Sequence, residues 1–411
     1  MKKYTLLCTA VFVIFTTQSI QRVATRVIRL PHRFQPGALE CTAAASRALS
    51  TLPPKIAQQN EPSGYKKWGY AAGAASVGIA GAYGLTQQNA QQDVSPAQTM
   101  HAASVWAELD QKGALSKHQM LNSYIHDCAQ YSSENAHIPK HIKNDNTVRI
   151  MTYNVFGWRN VYEKNNFNGI LKVIDDIQPD VLVLQEVSLF DERSIKNEFN
   201  KRGYNYSAFC NTVPNKFTPF GTQIFSKYPL SETQEITFQA DSALNSIEKR
   251  GYIETVITLP HHQQLTLYAT HLDVWDNSGE LRKKEITELL NKIKTKKGNY
   301  IIAGDFNSVR AQDYNYSVNG KKVWDILTAS TLKRTGLPSS TGALDLIEKY
   351  GFVDSFSKHS VPTPRFTVWS GTAVDFIYLN KQWKLPILGS YVHYNVESDH
   401  LPVIMDIATQ D

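Results

Sequence analysis

Residues 300–307 read YIIAGDFN, a short apolar run that ends in a carboxylate, Asp305, and an amide, Asn307. A run of this length is the pattern of a buried strand, and its end is where such a strand can deliver a polar side chain into a cleft. The same design recurs on both sides of it. Asn154 lies in MTYNVFGW (151–158), Gln185 and Glu186 in VLVLQEV (181–187), His271 in YATHLD (268–273), and Asp399 and His400 in ESDHLPV (397–403).

From Thr147 onward these runs alternate with amphipathic segments. Val148–Val155, Val181–Val187, Thr222–Phe225, Ile253–Thr258, Leu265–Ala269, Tyr300–Ala303, Val374–Leu379 and Val403–Ile407 read as strands. Asn165–Ile177 reads as a helix with Phe167, Ile170, Leu171 and Ile174 on one side, and Glu280–Ile293 as a second with Ile286, Leu289, Leu290 and Ile293 inward. Strands and helices in mixed order, without an obvious break over residues 147–411, predict one α/β domain with two packed sheets rather than a βαβ repeat.

A single Glu after a strand is ordinarily a surface residue, and a lone Asn or His an ordinary hydrogen-bonding group. Together, the five sites supply carboxylates for a hard cation, a base for water and donors for phosphoryl oxygens. In this order they resemble the endonuclease/exonuclease/phosphatase superfamily, which includes pancreatic deoxyribonuclease, apurinic endonucleases, neutral sphingomyelinases and deadenylases. GDFN followed by SDHLPV is the specific pair, TYNV and LQEV are looser, and the resemblance runs from about Val148 to Ile407.

The resemblance implies a four-layer α/β/β/α sandwich of two mixed β-sheets flanked by helices, with the cleft at one edge. It implies a phosphate-ester hydrolase acting on a phosphodiester through a His/Asp-activated water. By matching motif positions, Glu186 is the main metal ligand with Asn154 and Asp399 nearby. The metal is expected to be Mg2+, with Mn2+ as the substitute, since magnesium keeps several water and phosphate ligands and needs few protein carboxylates. Asp375, in GTAVDFIYL, falls where the family pairs an Asp with the final His, making His400 the general base. Asp305 would orient the attacking water and Asn307 would donate to a non-bridging oxygen. His271 would stabilise the phosphate or protonate the leaving oxygen. Gln185 reads equally as support or as a plain strand-end hydrogen bond.

Two departures narrow the resemblance. AVDFIYL stands where inositol polyphosphate phosphatases carry a WCDR-type segment, and Ala373 stands where many apurinic endonucleases carry Arg. Arg282, beside Ser278 at the start of a helix, reads as a structural ion-pair partner more than as a ligand. Arg365 could reach a substrate phosphate bidentately or sit in a solvated loop.

The formal net charge of +6 is not spread evenly. Of 43 basic and 37 acidic residues, 14 and 8 fall in residues 1–146, which leaves 29 of each in residues 147–411. A neutral domain weakens the expectation of a strongly basic nucleic-acid binder without removing a local patch. Four cysteines without CxxC spacing imply neither a zinc site nor a disulfide framework.

Residues 1–60 read as a targeting leader with two competing addresses. Lys2 and Lys3 before the apolar run Leu6–Phe15 suggest a signal peptide, whereas Arg22, Arg26, Arg29, Arg33 and Arg47 with few acids suggest mitochondrial transit. Export or membrane association is the favoured expectation. Residues 69–85, GYAAGAASVGIAGAYGL, are uncharged and read either as a membrane span or as an Ala/Gly linker. Met100–Tyr131 suits one or two helices, and the polar stretch Ser132–Asn146 is the expected domain boundary. The substrate expectation stays divided between nucleic acid and a phospholipid head group, the second favoured by a tether through 69–85. A non-catalytic binding protein would have shed part of this residue set.

Overall fold

The computed structural model of the chain describes residues 116–134, 143–144, 146–213, 218–240, 248–294, 296–318, 320–326, 340–358 and 365–409. The leader, the 69–85 segment and the linker after it lie outside these residues. Among the described residues no helix is long and apolar enough to cross a membrane.

In chain order, helix α1 (Lys117–Glu134) is followed by β1 (Thr147–Asn154), α2 (Phe167–Ile177), β2 (Val181–Ser188), α3 (Glu192–Lys201), β3 (Tyr206–Asn211), β4 (Phe220–Ser226) and β5 (Leu230–Thr237). Next come β6 (Gly251–Thr258), β7 (Gln264–His271), α4 (Glu280–Ile293), β8 (Asn299–Asp305) and a small hairpin of β9 (Ser317–Val318) and β10 (Lys321–Lys322). The chain closes with α5 (Gly342–Lys349), β11 (Val353–Asp354), β12 (Asp375–Leu379), β13 (Ile387–Val392) and β14 (Val403–Ala408).

Two six-stranded sheets form, in the orders β13-β14-β1-β2-β4-β3 and β11-β12-β8-β7-β6-β5. Each holds one parallel pair, β1 with β2 and β7 with β8, joined by a crossover through α2 and α4 respectively. All other pairings within the two sheets are antiparallel. The buried side chains divide into three groups. One, with Val148, Ile150, Val183, Leu267, Ile301 and Met405, lies between the sheets. A second packs α2 and α3 onto the first sheet through Ile170, Ile174, Ile195 and Phe199, and a third packs α4 and α5 onto the second through Leu289, Leu290, Leu344 and Ile347. This is the four-layer sandwich, and helix positions alternating at three- and four-residue spacing account for the outer layers.

Strand ends decide where polar groups emerge. The parallel strands finish, and their antiparallel neighbours begin, at the same edge, so Asn154, Glu186, His271, Asp305 and Asp375 come from one end of the sandwich. Within the second sheet His271 is registered against Asp305, and Asp305 against Asp375. At the opposite end, Arg149 and Asp406, partners across β1 and β14, form a buried bidentate ion pair with both N–O distances 2.8 Å. Geometry of this kind pins the strand register.

Gly304 is required by contact. Its φ is +153°, and a Cβ there would meet the Thr270 carbonyl oxygen at 1.9 Å. The strand that ends in Asp305 therefore approaches the strand that ends in His271 as closely as bare backbone permits.

Helix α1 precedes the apolar strands but supplies Met120, Tyr124, Cys128 and Tyr131 to the core between the sheets, all at most 3% exposed. Their spacing of four, four and three places them on one helical face. Tyr124 meets Phe366 edge-on with ring centroids 6.0 Å apart, and Tyr131 lies 5.2 Å from Tyr394. The helix runs into the stretch expected as a boundary, and its side chains belong to the same core. Tyr124→Ala in the full chain should therefore cost about 3–5 kcal/mol of stability. A urea-denaturation midpoint that does not move would mean that α1 is only loosely applied.

Candidate active site

The edge where the strands converge holds most of the polar groups expected from the sequence. Glu186 reaches it through an irregularity. Between Leu184 and Val187 the β2–β4 register shifts, with one residue more on β2, and Glu186 takes φ +56°. This bulge re-aims the side chain, so that consecutive residues serve different ends. Gln185 turns inward to exchange hydrogen bonds with Thr152 and to donate to the Val183 carbonyl at 3.0 Å. Its part is structural. Glu186 turns instead toward Asn154, half-buried.

Asn154 Nδ2 donates to Glu186 Oε1 at 3.1 Å and to Asp305 Oδ2 at 3.0 Å. One amide thus joins a carboxylate from each sheet. Its Oδ1 accepts from the backbone N–H of Phe156 at 3.0 Å, which fixes the orientation of the amide. As placed, the amide presents nitrogen to the two carboxylates and its oxygen to the backbone N–H of Phe156.

His400 Nδ1 lies 2.9 Å from Asp375 Oδ2, and His400 Nε2 lies 3.8 Å from Asp305 Oδ2. Both partners are prepared by their neighbours. Thr367 Oγ1 accepts from the Val374 and Asp375 N–H groups at 3.0 and 3.1 Å, and Ser398 Oγ donates to the Asn154 carbonyl at 2.8 Å while accepting from His400 N. Ser398 ties the loop carrying Asp399 and His400 to the end of β1, and Tyr124 of α1 donates to the Ser398 carbonyl at 3.4 Å. Neither role was visible in the sequence, because each rests on contacts across more than 200 residues.

Asp305 Oδ1 accepts from Asn307 N at 2.9 Å. Asn307, at φ +46°, donates through Nδ2 to the Leu272 carbonyl at 3.0 Å and lies 3.1 Å from His271 Nε2. As placed, its amide buttresses the His271 turn. Arg250, just before β6, was not singled out from the sequence, yet its Nη1 lies 3.0 Å from His271 Nδ1. A lone Arg before a strand carries no local pattern that could have marked it.

Two other arginines are structural. Arg365 pairs with the buried Asp354 and stacks on Phe356 and Phe376 at 4.4 and 4.5 Å, itself half-buried. The phosphate-binding and solvated-loop readings of Arg365 are both replaced by this ion pair. Arg282 is 1% exposed and donates to the Asp273 carbonyl and to Ser340 Oγ.

The electrostatics follow from crowded carboxylates. Burial, opposed by the Asn154 hydrogen bond, leaves the Glu186 carboxyl above its ordinary range. Burial and the charge of Asp375 push Asp305 up to about 6. Burial alone would lower His400, but Asp375 and Asp305 outweigh it and hold the imidazole well above the usual histidine value. Ligand atoms of Asp305, Asp375 and His400 all lie within 4.8 Å of one another. Asp375 Oδ1 is buried with no hydrogen-bond partner among the described residues. An excess of oxygen donors and negative charge fits a hard divalent cation, whereas zinc would favour more nitrogen or sulfur.

The profile described as "Endonuclease/Exonuclease/phosphatase family" matches residues 151–400. The chain belongs to the endonuclease/exonuclease/phosphatase family. Among solved structures, an endonuclease/exonuclease/phosphatase from Beutenbergia cavernae is similar at 17% identity and TM-score 0.51, over 64% of this chain and 72% of that one. ANGEL2, a 2',3'-cyclic phosphatase, is similar at 17% identity and TM-score 0.46, over 64% and 95%. The catalytic domain of human Nocturnin is similar at 19% identity and TM-score 0.45, over 66% and 97%. Identities this low speak to the fold alone. No curated protein matches the sequence. In this family member the matched stretch ends at His400 and begins within β1, so α1 lies upstream of it.

The raised pKa of His400 has a signed consequence. A base whose folded pKa lies above its unfolded value contributes stability below the ordinary histidine range and loses it as pH rises through the folded value. Metal-free protein should lose thermal stability as pH rises above neutral, and His400→Gln should flatten that slope. A melting temperature in the wild type that climbs over the same interval would contradict the ion-pair account.

Proposed function

We propose that the chain is a magnesium-dependent phosphodiesterase in which His400 activates water. The observation that carries this reading is the trio at the sheet edge: His400 on Asp375 at 2.9 Å, with Asp305 3.8 Å from the other imidazole nitrogen. Asp375 accepts the Nδ1 proton, which fixes the tautomer and leaves Nε2 to take a proton from water. Asp305 faces that nitrogen and would hold the same water for in-line attack. His271 and Asn307 place N–H groups beside Asp305, where charge builds on the phosphoryl oxygens.

Glu186 and Asp399 are the residues proposed to hold the cation, with Asn154 orienting Glu186. A bound magnesium would offset the carboxylate charge, polarise the phosphoryl group and favour the neutral form of His400. The substrate proposed is a phosphodiester, with nucleic acid and a phospholipid head group as the arms of one assay. The family and the neutral charge of residues 147–411 are compatible with either arm. Export or membrane association through residues 1–85 is a separate proposal, tested by the mass of the mature N-terminus and by fractionation.

The full chain with magnesium should hydrolyse at least one of bis-p-nitrophenyl phosphate, DNA, RNA and sphingomyelin, and chelation should abolish turnover. His400→Ala should lower kcat by about 10^3-fold with the fold intact by circular dichroism. Near-normal turnover in that variant defeats the base assignment. Glu186→Gln should move the magnesium titration midpoint upward by at least about tenfold; an unchanged midpoint removes Glu186 from the metal site.

A further inference from the structure

Two buried histidines stand at this sheet edge, and their Nδ1 atoms meet opposite partners. His400 has a carboxylate at Nδ1, whereas His271 has a guanidinium. Arg250 is 6% exposed, and its Nη1 lies 3.0 Å from His271 Nδ1 and 3.1 Å from Glu248 Oε1. Glu248 in turn accepts from the indole nitrogen of Trp275 at 3.3 Å, so the guanidinium is braced from behind. An arginine only donates and does not give up its charge.

The other side of the ring makes a competing demand. Nε2 lies 3.1 Å from Asn307 Nδ2, also a donor, and 3.4 Å from Asp305 Oδ2, an acceptor. A neutral imidazole accepts at one nitrogen only. Turning its N–H toward a buried guanidinium costs more than turning it toward a neutral amide that already donates to the Leu272 carbonyl. Asp305 is there to receive the Nε2 proton. Burial and the Arg250 charge also hold the ring well below the ordinary histidine pKa, which excludes the doubly protonated form near neutrality.

We propose that Arg250 is a positioning residue that fixes His271 as a neutral imidazole protonated on Nε2, so that His271 gives the phosphoryl group a hydrogen bond and does not protonate the leaving oxygen. The tautomer is a property of the resting protein, and only its catalytic consequence rests on the phosphodiesterase reading. The choice left open by the sequence between phosphate stabiliser and general acid is thereby made by a residue just before β6.

The test has a spectroscopic and a kinetic arm. In the full chain labelled with 15N-histidine, long-range 1H–15N correlations at neutral pH should give His271, assigned by its loss in His271→Gln, a protonated Nε2 and a bare Nδ1. Arg250→Lys should keep this pattern, and Arg250→Met should shift it toward Nδ1–H. Wild-type protein with Nδ1–H, or with both nitrogens protonated, overturns the proposal whether or not either variant folds. In the kinetic arm, His271→Gln keeps an N–H donor but cannot act as an acid. Its loss should be similar, on the order of 10- to 100-fold, for methyl p-nitrophenyl phosphate and for a poorer phenyl leaving group. A loss that grows by about 100-fold or more toward the poorer leaving group marks a general acid and overturns the catalytic half. If no ester is turned over at all, the phosphodiesterase reading falls, and the spectrum alone decides the tautomer.

Discussion

Glu186 and Asp305 come from different sheets and share one amide. Burial raises the cost of ionising both carboxyls, the charge of Asp375 adds to it at Asp305, and both sit above their ordinary range. Asn154 Nδ2 spends one hydrogen on each, and the Phe156 N–H holds the far side of the amide. Without this bridge the inner edges of the sandwich would present uncompensated negative charge to one another. With it, the separation between the two acids is set by a group whose bond lengths do not vary. Asp375 is then placed by strand pairing as the register partner of Asp305, and His400 by its bond to Asp375 and by the Ser398 tie to β1.

Much of this arrangement could be read from the chain, because it resides at strand ends. The apolar runs at Tyr300–Ala303 and Val181–Val187 announce their strands, and a polar residue closing such a run has one edge of a sheet to emerge from. The two ends of Glu280–Ile293 coincide with the observed helix α4. What stayed hidden depends on partners distant in sequence. β5 is an edge strand of mostly exposed polar residues, so it lacks the apolar signal. Arg250 and Ser398 look like any polar residue beside a strand or in a loop until folding brings His271 and Asn154 to them. The bulge at Glu186 was equally invisible, since alternation predicts the side of a strand and not an extra residue in it.

The arginines give a finer lesson. Arg149 and Arg282 are buried and Arg365 is half-buried, and each has terminal guanidinium nitrogens on carboxylates, carbonyls or hydroxyls of the framework. A cation withdrawn from water must be satisfied wherever it lies, so burial by itself does not mark a ligand for phosphate. Arg250 differs in what it satisfies. Its neighbour is a ring whose protons can be redistributed, and a fixed charge beside such a ring acts on chemistry as well as on packing.

Helix α1 lies upstream of the stretch that defines the family, yet it fills space between the sheets. A cut after Glu134 would strip from Phe366 and Tyr394 the aromatic cover that Tyr124 and Tyr131 give them. The unit that folds around this core therefore reaches upstream of the matched stretch to include at least helix α1.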